Sequence, residues 1–414
     1  METRTAIRND PLGDAVDPVA EAAGESIRRL YADALREEAA EWERDGGVPA
    51  SVYQRLGEVG AFEARWPERS RQPGRLDVAA VLIRETALAS VGAGIAIGTH
   101  LEGYFRALAR CEYGERVWSD ALAGRAIGAL SITERTGGSI PTRCETTAKR
   151  SSVGWVLGGH KHYVSNMRAA TDIVVFARTD FGRDLSSFTL FIVPADAPGV
   201  TVTPHRMVGS SASATAMLDL DRVEVADERR VGEVGSGLMI LLELLRAERV
   251  GAACGGLAIA ELCFEIALVY AEGRVIGAAP LRQHQAIAHR LATLASEIAA
   301  GRALFAQCFD AARVGRINSA EAGQAKLVLN RVAWRAADEA MQVLGGRGFT
   351  EETPLARIWR DIRIGRIGGG TDEVQLELIA QSLRSGALVD HPAVAAAMRE
   401  AEGDQHHEAK LVAQ

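Results

Sequence analysis

The chain has 414 residues, 47% of them hydrophobic and 24% charged, which is typical of a globular protein with room for two or three domains. A formal net charge of -7 and a pI near 5.8 argue against a nucleic-acid partner, because that would require a basic surface. Five scattered cysteines without a CxxC pair, and a polar N-terminus unlike a signal peptide, predict reduced thiols and a cytoplasmic location. The longest apolar run, Val250 to Ala260, is far shorter than the ~18 residues of a membrane span.

Residues 1–124 are predicted to form an N-terminal helical domain. The segment SIRRLYADALREEAAEWERDG has apolar residues at spacings of three and four and ends in a Gly-Gly breaker. VPASVYQRLGEVGAF follows as a second helix, with Ser51 as its expected N-cap. LDVAAVLIRETALASVGAGIAIGTHLEGYFRALARC continues the helical pattern, with small residues that permit close packing.

Residues 125–237 are predicted to form a β domain, and residues 238–388 a second helical domain. The middle segments VGWVLGGHKHYVSN, TDIVVFART and SSFTLFIVPADAPGVTVTP are rich in β-branched and aromatic residues, interrupted by Gly, Pro, Asp and Asn. Three long helical patterns follow. Residues 389–414 form a polar tail with little to bury. The expected class is therefore α+β, with helices, then a β domain, then a helical bundle.

Four motifs, in order, resemble the acyl-CoA dehydrogenase family of flavoproteins over residues 25–385. They are SITERTGGSI (131–140), GHKHYVSN (159–166), the pair Arg274 and Gln285, and QVLGGRGFTEETPLARIWRDIRIGRIGGGTDEV (342–374). The resemblance implies an N-terminal helical domain, a middle β-barrel-like domain and a C-terminal four-helix bundle. It also implies FAD, a homotetramer, and an electron-transfer flavoprotein as electron acceptor.

The two middle-domain motifs imply contacts to the flavin. Thr133 and Ser139 lie beside a Gly-Gly turn whose N–H and O–H groups can donate to a ring and to phosphate oxygens, although on its own this motif could be a surface turn. Tyr163 stands where the family has Trp beside the flavin, and Ser165 matches a Thr whose hydroxyl faces the ring. Ile140 replaces the family's Asp. His160 and His162 alternate on a strand, but no third ligand accompanies them, so we expect no metal.

The C-terminal motifs imply contacts to the rest of the cofactor. Arg274 matches an Arg that reaches the flavin pyrophosphate from a neighbouring subunit, and a guanidinium suits a diphosphate; a solvated helix end is the alternative. Gly277 replaces an aromatic residue that stacks on the adenine. The remaining positions that match cofactor-binding residues of the family are Gln285, Gln342, Gly345, Gly346, Thr371 and Glu373.

The stretch RIGGGTDEV departs from the family at the catalytic base. The usual signature is Y-E-G-T, and Gly369 stands where its Glu would be. The chemistry requires a carboxylate near the substrate α-carbon, opposite the flavin, and does not dictate which helix carries it. Gly369 keeps a backbone N–H that can still polarise a thioester carbonyl, and the neighbouring Gly368 leaves room for substrate.

Glu248 is the alternative base. In ELLRAERVGAACGG it shares one helix face with apolar and small residues, where a lone carboxylate is costly unless it has a partner or a function. This placement resembles the isovaleryl-CoA and long-chain acyl-CoA dehydrogenases, in which the base sits on this helix. A structural ion pair with Arg246 or Arg249 is the competing explanation. Arg249 also matches a residue near the thioester arm and is expected to orient it.

The predicted function is therefore FAD-dependent α,β-dehydrogenation of an acyl thioester, bound to coenzyme A or to an acyl carrier protein. Glu248 would remove the α-proton while the β-hydride passes to flavin N5. Two alternatives stay open: a flavin-dependent monooxygenase on the same fold, which needs no such base, and a catalytically silent acyl-thioester-binding homologue.

Overall fold

The structure, a computed structural model, describes residues 18–179 and 185–384. The predicted tail, residues 389–414, lies outside these ranges. The two predicted helical domains, residues 1–124 and 238–388, extend beyond them. Within them the chain forms helices, then a sheet, then helices again. The predicted α+β class is confirmed.

The N-terminal region packs its helices around an aromatic core. Ile27, Tyr31 and Leu35 recur every four residues and are all fully buried, so one face of the first helical segment enters this core. Gly46 ends that segment in the left-handed conformation, as the Gly-Gly breaker predicts. Ser51 is not the N-cap of the second helix, because Pro49 is extended and the helix begins one residue later at Ala50. The helices are α1 Pro18–Leu30, α2 Arg36–Asp45, α3 Ala50–Glu58, α4 Ala61–Arg65, α5 Leu76–Ala89, α6 Val91–Gly98, α7 Phe105–Leu108 and α8 Glu112–Leu122, with π-helical turns at Tyr31–Leu35 and Thr99–Tyr104.

The middle region is an eight-stranded, mostly antiparallel sheet. Its strands are β1 Gly128–Ser131, β2 Thr147–Ser151, β3 Gly154–Val164, β4 Asp172–Arg178, β5 Phe188–Pro194, β6 Val200–Pro204, β7 Ala216–Val225 and β8 Arg230–Val231. They follow the order β6-β7-β3-β2-β4-β5-β8, and β1 pairs in parallel with β4.

The sequences of strands β4 and β5 are mostly apolar and do not alternate with polar residues, because both faces of each strand are buried. Ile173 and Val175 point into the core of the β domain, whereas Val174 and Phe176 join the core shared with the helices. One face of the sheet thus packs in the core of the β domain, and the other packs against the helices. These two contacts set the orientation of the sheet relative to the helices.

The C-terminal region is a helical bundle. Its long helices are α9 Gly237–Gly273, α10 Gln285–Arg313 and α11 Ser319–Leu344, followed by the shorter α12 Leu355–Ile362 and α13 Asp372–Arg384; the short strands β9 Val275–Ile276 and β10 Ala279–Pro280 form a hairpin between α9 and α10. Helices α9 and α11 approach closely because Gly256 lies against the backbone of Leu329. A capping box between Asn318 and Glu321 starts α11.

Helix α9 is long and apolar enough to cross a membrane by length and composition, although its uninterrupted apolar run, Val250 to Ala260, is much shorter than the helix. Most of this apolar stretch is buried within the fold against neighbouring helices. It is therefore the central helix of the bundle.

A buried carboxylate joins the N-terminal helices to the sheet. Asp172, only 2% exposed, accepts hydrogen bonds from Tyr104 at 2.5 Å and Tyr113 at 3.1 Å. It also forms an ion pair with Arg229 at 3.0 Å. Because the two tyrosines belong to the helical region and the other two residues to the β domain, this cluster sets how the two regions meet.

We expect the Asp172→Asn substitution to lower the free energy of unfolding by about 3 kcal/mol, because it leaves the half-buried Arg229 guanidinium and the buried Tyr104 hydroxyl without their ionised partner. Urea denaturation followed by tryptophan fluorescence measures this change. The control is Asp120→Asn, which removes the exposed ion pair with Arg125 and should cost at most about 0.5 kcal/mol. Equal effects of the two substitutions would contradict the proposed role of Asp172.

Candidate active site

The carboxylate of Glu248 lies against the α-carbon of Gly369. A β-carbon placed on Gly369 would lie 3.3 Å from Oε1 and 3.6 Å from Cδ of Glu248. Gly369 also has a φ of +65°, in the left-handed region that favours glycine. A side chain at position 369 would therefore crowd the Glu248 carboxylate, which would have to shift to accommodate it.

Glu248 has no partner in the part of the chain that the structure describes. The residue is half-buried, and its carboxylate makes no hydrogen bond or ion pair with a described residue, Arg246 and Arg249 included. Desolvation by burial raises the pKa of Glu248, and the charges of Arg249 and Lys326 offset part of that rise. An unpartnered carboxylate with a raised pKa has the properties of a general base.

Three side chains donate hydrogen bonds to the carbonyls of the glycine segment, residues 368–370. Arg249 donates to the Gly369 carbonyl at 3.3 Å, and Gln375 donates to the same oxygen at 3.2 Å and to the Gly370 oxygen at 2.8 Å. Lys326 donates to the Gly370 oxygen at 2.5 Å. The segment between the end of α12 and the start of α13 is thus fixed beside Glu248.

Lys326 and Gln375 were missed by the sequence-based prediction. Both are fully buried, at 0% exposure. The available signal was the lysine in GQAKLVLNRV, a charged residue on an otherwise small and apolar helix face. The position of Gln375 had no comparable signal, since glutamine is ordinary near a helix start.

The other predicted residues in and next to the glycine segment form no hydrogen bond with Glu248. The Thr371 hydroxyl accepts a hydrogen bond from the Val374 N–H at 3.4 Å and so caps the start of α13. Hydrogen bonds from its own backbone N–H and from Thr371 lower the pKa of the exposed Glu373. Gly368 is less crowded, because a β-carbon there would make only ordinary van der Waals contact, at 3.7 Å from the carbonyl oxygen of Ile364.

The two middle-domain motifs come together at the edge of the sheet. The N–H of His162 donates to the Thr133 carbonyl at 2.8 Å, and Ser165 forms a bridge with Leu130 of β1. Thr133 and Ser165 are half-buried, and their hydroxyls have no hydrogen-bond partner among the described residues.

An exposed aromatic ring lies beside these hydroxyls. Tyr163 is 63% exposed, has a φ of +58° and stacks on His205 at a ring distance of 4.9 Å. Open hydroxyls next to an exposed ring suit a flat, polar ring system such as a flavin. Ser139 and Ile140 are exposed farther along the loop.

A second group of predicted cofactor residues lies at one end of the bundle. Because α9 ends, α10 begins and α11 ends there, the chain direction brings together Arg274, Gln285, Gln342, Gly345 and Gly346, all of them exposed. No hydrogen bond or ion pair among the described residues joins this group to Thr133, Tyr163 or Ser165. Gly277 has a φ of +62° in the two-residue turn between β9 and β10, which explains a glycine at that position.

The two histidines of the GHKHYVSN motif have other contacts. His160 pairs with Asp219 on β7, and His162 lies near Tyr163 and His205. Among residues 18–179 and 185–384, no group of three His, Cys, Asp or Glu side chains is placed to hold a metal ion. None of the five cysteines, all within these ranges, forms a disulfide.

A cavity of about 350 Å³ lies between α5, α9 and the end of α10, and none of the predicted site residues lines it. On α9 it contacts Glu243, Ala247, Val250 and Cys254, which occupy a different face of the helix from Glu248. The cavity is therefore separate from the site at the glycine segment.

Comparison with known proteins identifies the family of the chain. Family models described as the N-terminal, middle and C-terminal domains of acyl-CoA dehydrogenase match residues 18–113, 129–223 and 235–384. The mitochondrial short-chain specific acyl-CoA dehydrogenase of Bos taurus is 30% identical over 351 residues, covering 83% of this chain and 85% of that protein. The chain belongs to the acyl-CoA dehydrogenase family.

Other relatives support the same assignment. An acyl-CoA dehydrogenase of Bacillus subtilis (strain 168) is 30% identical, over 87% of this chain and 97% of its own length. The solved structure of butyryl-CoA dehydrogenase from Megasphaera elsdenii is 27% identical with a TM-score of 0.82, covering 90% of this chain and 99% of that one. Family membership makes the chain an oxidoreductase acting on CH–CH bonds, with FAD as its cofactor.

We expect Gly369→Ala to lower the free energy of unfolding by about 1–2 kcal/mol, because an L-residue is strained at this φ and its methyl group presses on the Glu248 carboxylate. Thermal or urea denaturation measures the loss. Gly368→Ala is the matched control in the same segment; since its β-carbon would make only ordinary van der Waals contact, we expect it to be close to neutral. A Gly369→Ala protein as stable as the Gly368→Ala protein would contradict the reported geometry.

Proposed function

We propose that this acyl-CoA dehydrogenase family member oxidises the α,β-bond of an acyl-CoA, with Glu248 as the base. The observation that carries the proposal is the unpartnered Glu248 carboxylate, which fills the space beside Gly369. In this family position 369 is where the usual Glu would stand. The α-proton passes to the carboxylate of Glu248, and FAD, when bound, accepts the β-hydride.

The protein groups around Glu248 have separate tasks in this reaction. The Gly369 N–H is retained despite the loss of a side chain, and it donates to the thioester oxygen as negative charge develops there. Arg249, buried and fixed to the Gly369 carbonyl, orients the thioester arm. Gly368 leaves room for the acyl group next to the backbone.

FAD binding draws on the two groups of residues described above. Thr133, Ser139, Tyr163 and Ser165 hold the ring system on the β domain. Arg274, with the exposed residues at its end of the bundle, holds the pyrophosphate and adenosine of a cofactor bound to a neighbouring subunit; these residues are Gln285, Gln342, Gly345 and Gly346. Thr371 and Glu373 complete the contacts near the glycine segment. Each cofactor site would then use two subunits, and we propose the homotetramer that the family resemblance implies.

The remaining parts of the proposal concern substrate, acceptor and location. Relatives described as short-chain specific acyl-CoA, butyryl-CoA and glutaryl-CoA dehydrogenases favour a coenzyme A thioester of a small acyl group; an acyl carrier protein is the alternative donor. We propose an electron-transfer flavoprotein as acceptor, domain boundaries near residues 124 and 237, and a cytoplasmic location.

Anaerobic mixing of the yellow holoprotein with a panel of acyl-CoA thioesters tests the function directly. Loss of the flavin absorbance near the oxidised maximum, with formation of the enoyl thioester, is the expected result. A flavin that is reduced only by a nicotinamide donor and then reacts with oxygen would favour the monooxygenase alternative. A colourless protein that binds acyl-CoA without reaction would favour the silent homologue.

We expect Glu248→Gln to slow flavin reduction by the responsive thioester about 10³-fold, because glutamine keeps the shape of the side chain but cannot accept the proton. Stopped-flow absorbance measures this rate, and the FAD content should be unchanged. Glu265→Gln, an exposed carboxylate on the same helix, is the control and should reduce flavin at the wild-type rate. A Glu248→Gln protein with the wild-type rate would assign the base elsewhere.

The pH dependence follows from the ionisation of the base. Burial raises the pKa of Glu248 above its ordinary value of 4.5, and only the ionised form can accept the proton. The rate of flavin reduction should therefore fall as the pH drops through a pKa higher than 4.5. Measurement of the reductive half-reaction between pH 5 and pH 9 tests this, and an acid limb at or below 4.5 would contradict it.

A further inference from the structure

A fully buried lysine lies directly behind the glycine segment. Lys326 on α11 has no solvent exposure, and its ammonium donates to the Gly370 carbonyl at 2.5 Å. This is its one hydrogen bond to the described residues, and no acidic side chain there approaches within ion-pair distance. Burial of a lysine is costly, so a charge held at this position requires an explanation.

One face of α11 forms the support of the whole segment. Residues 323, 326 and 330, spaced three and four apart, point in the same direction. Gly323 leaves room for Gln375, since a β-carbon there would lie 2.8 Å from its amide oxygen. Asn330 lies against Gly365 and donates to the Ala252 carbonyl on α9, one turn beyond Glu248. Lys326 is the central residue of this face and the only charged one.

We propose that Lys326 is a positioning residue for the reaction: it fixes the Gly369–Gly370 peptide and places a positive charge within electrostatic range of the Glu248 carboxylate, beyond ion-pair distance. This inference rests on the proposed function, because it assigns a role toward the base in that reaction. A carbonyl held from behind by an ammonium keeps the adjoining backbone in one orientation, including the Gly369 N–H that faces the thioester oxygen.

The charges around the two groups define the electrostatics of the site. Glu248 is influenced by Arg249 on its own helix and by Lys326 on α11. Lys326 in turn is influenced by Glu248 and Arg249 on α9 and by Asp372 and Glu373 at the start of α13. Asp372 is itself paired with Arg331 at 3.0 Å and with Arg366 at 2.8 Å, so its negative charge is shared with two guanidinium groups.

The charge of Lys326 depends on pH in the range in which the reaction can be measured. Burial lowers the pKa of Lys326 to about 8, although the charges of Glu248 and Asp372 raise it in part. Below that pH the ammonium is charged and favours the ionised form of Glu248. Above it the lysine becomes neutral, and its support for the carboxylate is lost. Removal of the lysine should therefore matter most below about pH 8.

The test compares Lys326→Met with the wild-type holoenzyme in the reductive half-reaction over a range of pH. Methionine fills the space without charge or N–H donor, and the Gly370 carbonyl keeps its hydrogen bond from Gln375. We expect the rate at neutral pH to fall ~10-fold to ~100-fold, and the acid limb of the profile to move upward by ~1 pH unit. The ratio of wild-type to variant rates should shrink above about pH 8, where the lysine loses its charge.

Two further variants separate positioning from a general loss of structure. Lys326→Gln retains an N–H donor without the charge, so it should show the shifted acid limb with a smaller loss of rate. Arg331→Met, on the same helix, removes one of the two ion pairs to Asp372 and leaves the Arg366 pair in place; it should keep the wild-type pH profile. FAD content and thermal unfolding are recorded for each protein.

The outcomes distinguish this inference from the proposed function. If Lys326→Met and Lys326→Gln bind FAD and have the wild-type pH profile, the role of Lys326 is overturned while the function stands. A loss of rate in both variants with no change in the acid limb also overturns it, because that result indicates a purely structural lysine. If the wild-type flavin is not reduced by any acyl thioester, or if Glu248→Gln reacts normally, the proposed function itself is wrong.

Discussion

The arrangement of the site depends on one steric constraint: the Glu248 carboxylate lies so close to Gly369 that a side chain at position 369 would crowd it. A β-carbon on Gly369 would lie 3.3 Å from Oε1 of Glu248, a distance at which the carboxylate would have to shift. With the carboxylate supplied from α9, the segment at 368–370 is left as bare backbone. Its carbonyls are held by Arg249, Lys326 and Gln375, so loss of the side chain does not make the segment free to move.

The bundle positions these groups through close helix packing. Helices α9 and α11 approach one another at Gly256, and Asn330 connects the two backbones at the level of the site. Glu248 and Lys326 therefore lie on rigid elements, whereas the glycine segment between α12 and α13 is held by hydrogen bonds to them. A base on a helix is more rigidly placed than one on a connecting segment.

The predicted cofactor residues fall into two groups that one chain does not bring together. Thr133, Tyr163 and Ser165 meet at the edge of the sheet, where unpartnered hydroxyls lie beside an exposed ring. Arg274 and Gln285 lie at one end of the bundle. Their exposure at a helix end leaves them accessible to a cofactor, and the proposal that this cofactor belongs to a neighbouring subunit rests on the family resemblance.

The sequence by itself determined the α+β class, the order of the three regions and the family, because periodicity and motif order are local properties of the chain. It also identified the paired change at Glu248 and Gly369, although these residues are 121 positions apart, since a family pattern marks both.

Only the tertiary structure decided that the Glu248 carboxylate lies next to Gly369 and that it has no ion-pair partner among the described residues. It also decided that the buried side chains of Lys326 and Gln375 hold the carbonyls of the glycine segment. These contacts arise where α9, α11 and α13 pack against each other, and contacts between distant helix faces leave no signal in local spacing. Ser51 seemed a suitable cap from its residue type, whereas the extended backbone of Pro49 makes that residue the cap and starts the helix two residues earlier.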